Sequence, residues 1–166
     1  MTDNLISKDF AEREVKDLIA LIEKSDDLVP ALLRFHLLTE NLLERILLAQ
    51  LPQGHRLLSN TSLSYRQKLE IVNAFDAGSP GLIGSLRTLN TIRNNASHER
   101  ETTVTKDTIE CIGRPLGKDF IKVRDEHSKD LKAFAFHTYG VIFAELIHAV
   151  YKTEHTPPLE IPSDSG

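Results

Sequence analysis

The sequence is poor in the residues that mark a secreted or disulfide-stabilised chain. It has one cysteine, Cys111, among 166 residues, and it has no tryptophan. A single cysteine excludes an intrachain disulfide framework and fits a reducing compartment, so we predict a cytoplasmic protein. The start of the chain lacks the basic and apolar segments of a signal peptide. No apolar run approaches the roughly 20 residues that cross a bilayer, and we predict no membrane partner.

Basic charge is also scarce, except in the middle of the chain. The formal net charge is −4 and the pI is about 6.0, which argues against a protein that coats duplex nucleic acid through a broad basic surface. Residues 87–132 are the exception, because they carry 10 basic and 8 acidic residues. We expect any anion site in this segment. The alternative is a mildly basic surface that binds no ligand.

The chain does have clear helical periodicity. Hydrophobic residues recur at helix spacing in most segments, and no alternation long enough for a strand occurs. We predict an all-α fold, a single bundle of five or six helices over residues 1–155, followed by a flexible tail at 156–166. Residues 117–127 are ambiguous. The helices are predicted over about 8–24, 28–51, 64–75, 79 to a point within 94–98, 105–111 and 128–152.

The last predicted helix is apolar on almost every face. A helix of this kind is buried on most sides, so it is expected to be the central helix or to bury one face against a second copy in a homodimer. His137 on this helix is expected to be buried or interfacial. Glu145 and His148 have the Glu-x-x-His spacing of carboxylate metal sites. The helices carry no second good copy, so we predict neither a metal nor another cofactor.

Two carboxylates interrupt a line of leucines on the second predicted helix. Glu40 and Glu44 follow Leu33 and Leu37 at helical spacing. Because an unpaired buried carboxylate is costly, we expect them either to be paired inside the core or to lie where the stripe reaches the surface. His36 is four residues before Glu40 and can meet it, but a partly buried histidine without a special role is the preferred interpretation.

An arginine and a histidine are close together near the end of the fourth predicted helix. Arg93 continues an apolar stripe, and His98 lies at or just past the expected helix end, because asparagine and serine side chains between them compete for the backbone. Arginine presents a fork of donors to phosphate oxygens, and histidine exchanges protons near neutral pH. The pair can cleave RNA without metal if His98 takes the proton of a ribose 2′-hydroxyl and Arg93 stabilises charge on the phosphorus. Asn94 can orient either group or the substrate.

The same residues also have a structural interpretation. His98 can cap the last carbonyls of the helix, and Arg93 can pair with Glu40 or Glu44. Spacing alone favours this interpretation, because arginine and histidine five residues apart are common.

Three segments together resemble the HEPN superfamily. The segment at 92–98, IRNNASH, resembles the Arg-polar-x3-His signature of that superfamily. The segments at 64–70 and 34–44, SYRQKLE and RFHLLTENLLE, resemble two helices of a related group that includes the mannitol operon repressor. The three occur in the expected order across residues 31–98, about 40% of the chain.

The resemblance implies an α-helical bundle that is usually a dimer. In the catalytic branch, two copies of the motif meet at the dimer interface and cut RNA without metal, leaving a 2′,3′-cyclic phosphate and a 5′-hydroxyl. Carried over to this chain, Arg93 holds the phosphate, His98 is the acid and base, Asn94 is the supporting polar residue, and Glu40 and Glu44 support the site from the earlier helix.

The biological setting is likewise implied by the resemblance. RNA is the expected substrate, and a toxin or phage-defence effector with a cognate antitoxin is the expected kind of protein. Other branches keep the bundle for regulation or protein binding. The alternative is therefore a non-catalytic transcriptional or metabolic regulator that acts through protein–protein contacts.

Overall fold

The chain folds almost entirely into helices. The computed structural model describes residues 8–98 and 103–157, and of residues 8–11, 14, 97 and 98 it describes the backbone alone. The described part contains no strand, so the predicted all-α class is confirmed. A 3₁₀ turn at Arg114–Leu116 precedes the seventh of eight α-helices, which are α1 (Lys8–Lys24), α2 (Val29–Gln50), α3 (Gly54–Asn60), α4 (Tyr65–Ala74), α5 (Pro80–His98), α6 (Lys106–Gly113), α7 (Lys118–His127) and α8 (Leu131–Glu154).

The described helices number eight rather than the predicted five or six, because α3 and α7 were not predicted. Helix α3 has seven residues and only Gly54 among them is buried, so it carries little hydrophobic periodicity. Helix α7 buries only Phe120 and Val123 among many charged residues. It begins after Gly117, whose φ of 66° lies in the left-handed region that glycine adopts without strain.

Most helix boundaries follow the predicted caps. Ser64 forms a capping box at the start of α4, as its spacing predicts. Helix α8 begins later than the predicted Ser128, because the Asp130 carboxylate caps it by accepting from two backbone N–H groups. Helix α5 extends through Asn94 and Asn95 to His98, the residue at or just before which the sequence places its end. One reason is that Asn94 Oδ1 accepts a hydrogen bond from Arg93 rather than competing for the backbone.

The predicted central position of the last helix matches the described packing. Helix α8 contacts α1, α2, α5, α6 and α7, and its most extensive contact is with α2. The rings of Phe35 on α2 and Tyr139 on α8 stack with centroids 4.3 Å apart, and both residues are buried. The two helices thus form the centre of the core, and the other helices lie around them.

Helix α8 is also long and apolar enough to cross a membrane by length and composition. Its most apolar window has a mean hydropathy of 1.4, which differs from the expectation that no segment of the chain qualifies. The central helix of a soluble fold meets the same criterion, and 44% of that window is buried. The cytoplasmic location and the absence of a membrane partner therefore stay predictions. The flexible tail is predicted at 156–166. Its first two residues are described, and 158–166 lie outside the described residues.

Candidate functional site

A polar cleft of about 680 Å³ opens between α2, α4 and α5. Its volume lies within the range that small-molecule and cofactor sites occupy. Three of the predicted site residues, Arg93, Asn94 and Glu40, line it. The other lining residues come from the same three helices and the α4 cap, and they are His36, Ser64, Tyr65, Arg66, Leu69, Arg87, Asn90, Thr91 and Asn95.

Helix α5 supplies half of the residues that line the cleft. Its apolar face buries Leu86 and Leu89, which turns Asn90 and Asn94 toward the cleft. Arg93 is half-buried, and its Nη1 donates to Asn94 Oδ1 at 3.2 Å. The predicted arginine and its supporting asparagine are therefore in direct contact at one cavity.

The structure brings together only part of the predicted catalytic set. His98 is the last residue of α5, one turn beyond Asn94. The side chain of His98 lies outside the described residues. Its role as acid and base stays a prediction from the sequence.

The two glutamates on α2 are bound by a lysine of α4. Lys68 Nζ lies 2.7 Å from Glu40 Oε1 and 2.5 Å from Glu44 Oε1. This ion-paired group replaces the predicted pairing of either glutamate with Arg93. The physical reason is that Lys68 is 7% exposed on the face of α4 that packs on α2, where its ammonium reaches carboxylates one helical turn apart.

Sequence reasoning missed Lys68, although a signal was present. It falls on the apolar face of α4 between Tyr65, Leu69 and Val72, all of which are buried. A lysine on a core face needs a partner, because an isolated buried charge is costly. Burial lowers the pKa of Lys68, but the hydrogen bonds and negative charges of Glu40 and Glu44 outweigh it, so its pKa is raised and it stays protonated.

A buried histidine joins the three helices at the floor of the cleft. His36 is 5% exposed, and its Nε2 lies 3.1 Å from Asn90 Oδ1 on α5. Its ring stacks on Tyr65 of α4, with centroids 4.1 Å apart. The Thr39 hydroxyl donates to the His36 carbonyl at 2.8 Å, so the Tyr65 hydroxyl, 2.9 Å away, is the donor to Thr39. The preferred interpretation of His36 as a partly buried histidine understated these contacts.

The histidine is electrically coupled to the predicted site. Burial lowers the pKa of His36, the Asn90 hydrogen bond raises it, the Arg93 charge lowers it and the Glu40 charge raises it, with a net lowering. A neutral ring with its proton on Nε2 donates to Asn90 Oδ1. Burial likewise raises the pKa of Tyr65 far above its ordinary value. The cleft floor is therefore a neutral hydrogen-bonded layer beside the Arg93 guanidinium.

Positive charge exceeds negative charge among the residues that line the cleft. Arg66, Arg87 and Arg93 line it, whereas Glu40 is its one acidic lining residue and is bound by Lys68. The remaining polar lining groups are neutral donors and acceptors. This composition suits an anion that also carries hydroxyl or amide-like groups.

The second candidate cluster does not assemble. Glu145 accepts a 2.7 Å hydrogen bond from Ser79, the serine that caps α5. Within residues 8–98 and 103–157, no three or more histidine, cysteine or acidic side chains are grouped so that they could hold a metal ion. His137 is half-buried and stacks on His127, with centroids 3.6 Å apart.

Comparisons with protein-family models, with curated proteins and with solved structures find no match to the chain. The resemblance to the HEPN superfamily therefore rests on the three sequence segments and stays a prediction. Each of those segments nevertheless contributes to the cleft: 34–44 supplies His36 and Glu40, 64–70 supplies Tyr65, and 92–98 supplies Arg93.

Proposed function

We propose that the protein is a metal-independent endoribonuclease of HEPN type and that the α2–α4–α5 cleft is its active site. One observation carries the proposal. Three segments that resemble the superfamily, far apart in the sequence, line one polar cleft that contains Arg93 in contact with Asn94. A structural role for each segment alone would not require them to share a cavity in which basic residues outnumber acidic ones.

The chemistry needs a phosphate ligand and groups that move protons. Arg93 hydrogen-bonds the non-bridging oxygens of the scissile phosphodiester and stabilises the charge that develops on them. His98 takes the proton from the ribose 2′-hydroxyl, and O2′ then bonds to phosphorus as the bond from phosphorus to O5′ breaks. An imidazolium donates a proton to O5′, so the products carry a 2′,3′-cyclic phosphate and a 5′-hydroxyl.

A second copy of the chain is the proposed partner. Leu33, Leu37 and Leu48 lie on one face of α2 and are each about 40–50% exposed. Burying such side chains against a second copy is favourable, and the face adjoins the cleft through Glu40. In a homodimer formed there, the second His98 can supply the imidazolium. A toxin or phage-defence effector with an antitoxin partner is the proposed setting.

The arginine provides a direct test of the proposed chemistry. We expect Arg93→Gln to slow cleavage of single-stranded RNA in EDTA by about 10²-fold, because a donor to the developing charge is lost. The matched control is Arg13→Gln, an exposed arginine of α1 outside the cleft. Thermal melting shows whether each variant is folded. Wild-type cleavage rates in a folded Arg93→Gln protein would reject the assignment.

The alternative is a non-catalytic regulator that acts through protein–protein contacts. The same exposed leucines of α2 favour it, together with the net charge of −4. Leu37→Glu should then abolish regulation while no RNA is cleaved by either protein. Under the ribonuclease proposal, the wild type cleaves RNA, and Leu37→Glu weakens dimerisation, as measured by sedimentation equilibrium.

A further inference from the structure

Two arginines of the cleft have no part in the proposed cleavage step. Arg87 is hydrogen-bonded to Glu70, and Arg66 lies one turn before Glu70 on α4. The hydrogen bond from Arg87 lowers the pKa of that carboxylate most, and the charges of both arginines lower it further. Arg87 and Arg93 are six residues apart on α5, which is about 9 Å along the helix axis. The cleft therefore has one cationic group at Arg93 and a second at Arg66 and Arg87, toward the start of α5.

The second group has hydrogen-bonding capacity to spare. Arg87 Nε and Nη2 bind the two oxygens of Glu70 at 2.8 and 2.6 Å, and its Nη1 makes no hydrogen bond within the described residues. Arg66 is exposed and makes no ion pair or hydrogen bond in the described part of the chain. Arg66 and Arg87 together carry two positive charges against the one negative charge of Glu70, so the group keeps a net charge of about +1.

The residues between the two cationic groups are neutral. Asn90 and Thr91 lie between Arg87 and Arg93 on α5, line the cleft and offer donors and acceptors. Arg87 is held by both oxygens of Glu70 and Arg93 by Asn94 Oδ1, so each guanidinium is anchored to a different partner. A chain of phosphates joined by sugars places anions at intervals, with neutral hydroxyl-bearing groups between them.

We propose that Arg66 and Arg87 form a second phosphate subsite, which binds the phosphodiester next to the scissile one in single-stranded RNA. The inference rests on the proposed function and names how the same cleft recognises its substrate. Arg66 binds through its uncommitted fork, and Arg87 adds Nη1 while it remains bound to Glu70. Arg66 and Arg87 act as binding residues and take no part in proton transfer.

The test uses a trinucleotide with 2′-deoxy sugars, which cannot be cleaved because it has no 2′-hydroxyl. In each of two modified trinucleotides, one of the two phosphodiesters is replaced by an uncharged methylphosphonate. Affinities are measured by calorimetry for the wild type, Arg66→Gln and the control Arg13→Gln. We expect neutralising the linkage bound at Arg66 to weaken wild-type and control binding by about tenfold. That linkage is recognised as the one whose replacement has little effect on binding by Arg66→Gln. The slope of log affinity against log salt should be lower by about 0.7 in Arg66→Gln than in the control.

The outcomes separate this inference from the proposed function. If both linkages weaken Arg66→Gln as much as they weaken the wild type, the subsite is wrong, whether or not RNA is cleaved. If the trinucleotide does not bind the wild type, the subsite is also wrong. If neutralising one linkage weakens binding by the wild type but not by Arg66→Gln, and the wild type fails to cleave RNA in EDTA, the subsite is supported and the ribonuclease assignment is rejected.

Discussion

Helix α5 meets its neighbours in two different ways. Toward α2 and α4 it contributes polar side chains, such as Asn90 bound to His36 and Arg87 bound to Glu70, and a cleft of about 680 Å³ remains between the helices. Toward the 3₁₀ turn its backbone packs closely, because a Cβ at Gly81 or Gly84 would lie 2.8 Å from atoms of Pro115.

The difference shows how one helix can be both fixed and functional. Close backbone packing at Gly81 and Gly84 leaves no space for solvent and fixes the start of α5. Farther along α5, hydrogen bonds to α2 and α4 span a wider gap and leave charged side chains at the cleft.

The close packing continues from α5 to the other end of the 3₁₀ turn, where α6 meets α7 and the structure is most sensitive to added volume. A Cβ at Gly113, at the end of α6, would lie 2.1 Å from Cδ2 of the buried Phe120 ring. We expect Gly113→Ala to lower the free energy of unfolding by about 3 kcal/mol, because overpacking forces ring and backbone to shift. Urea unfolding measures the change.

Its control is Gly140→Ala on α8, where an added Cβ meets nothing within 4 Å. This change should raise the unfolding free energy by about 0.5–1 kcal/mol through helix propensity. Equal effects of the two substitutions would contradict the packing described for Gly113.

The cleft side depends on charge pairing. Lys68→Met leaves Glu40 and Glu44 without their cation, and we expect a loss of about 2 kcal/mol in unfolding free energy. This is below the value for a fully buried pair, because both carboxylates are partly exposed. The control is Lys122→Met, an exposed lysine of α7. A Lys68→Met protein as stable as this control would show that the ion pairs contribute nothing.

The raised pKa of Lys68 sets the pH range of that contribution. Stabilisation by a group whose pKa is higher in the folded state is present below the unfolded pKa, about 10.4 for lysine, and is lost as the pH rises through the folded value. The stability difference between wild type and Lys68→Met should therefore be constant from pH 7 to pH 9. It should shrink only at higher pH.

The smallest expected effect comes from His36. Its pKa is lower in the folded protein than the unfolded value of about 6.5, so the unfolded chain binds the proton more readily and stability falls as the pH drops below 6.5. One such group contributes at most about 1.4 kcal/mol per pH unit. We expect His36→Gln to lose less unfolding free energy than the wild type between pH 7.5 and 5. The control is His55→Gln on the surface of α3, and parallel curves for wild type and His36→Gln would reject the prediction.

Local signals made most of the fold predictable. The Ser64 capping box and the serine and proline at Ser79 and Pro80 correctly place the starts of α4 and α5. Helices α3 and α7 escaped because they bury few residues, and Gly117 starts α7 through a backbone conformation that leaves no periodic pattern. The asparagine and serine residues after Arg93 predicted that α5 ends within 94–98, and the helix ends at His98.

The candidate site was only partly predictable, because its contacts join residues far apart in the chain. Arg93 and Asn94 follow from a local motif. The binding of Lys68 to Glu40 and Glu44, and of Asn90 to His36, depends on how α2, α4 and α5 pack. A sequence pattern can show that a lysine lies on a core face, but packing decides which carboxylate meets it.

Proton transfer by His98 is the step on which the proposed cleavage depends. Single-stranded RNA is incubated in EDTA with the wild type and with a folded His98→Ala protein, and the ends of any fragments are identified. We expect cleavage by the wild type that leaves a 2′,3′-cyclic phosphate and a 5′-hydroxyl, and no cleavage by His98→Ala. Equal cleavage by the two proteins, or no cleavage of varied RNAs by the wild type, would contradict the proposal.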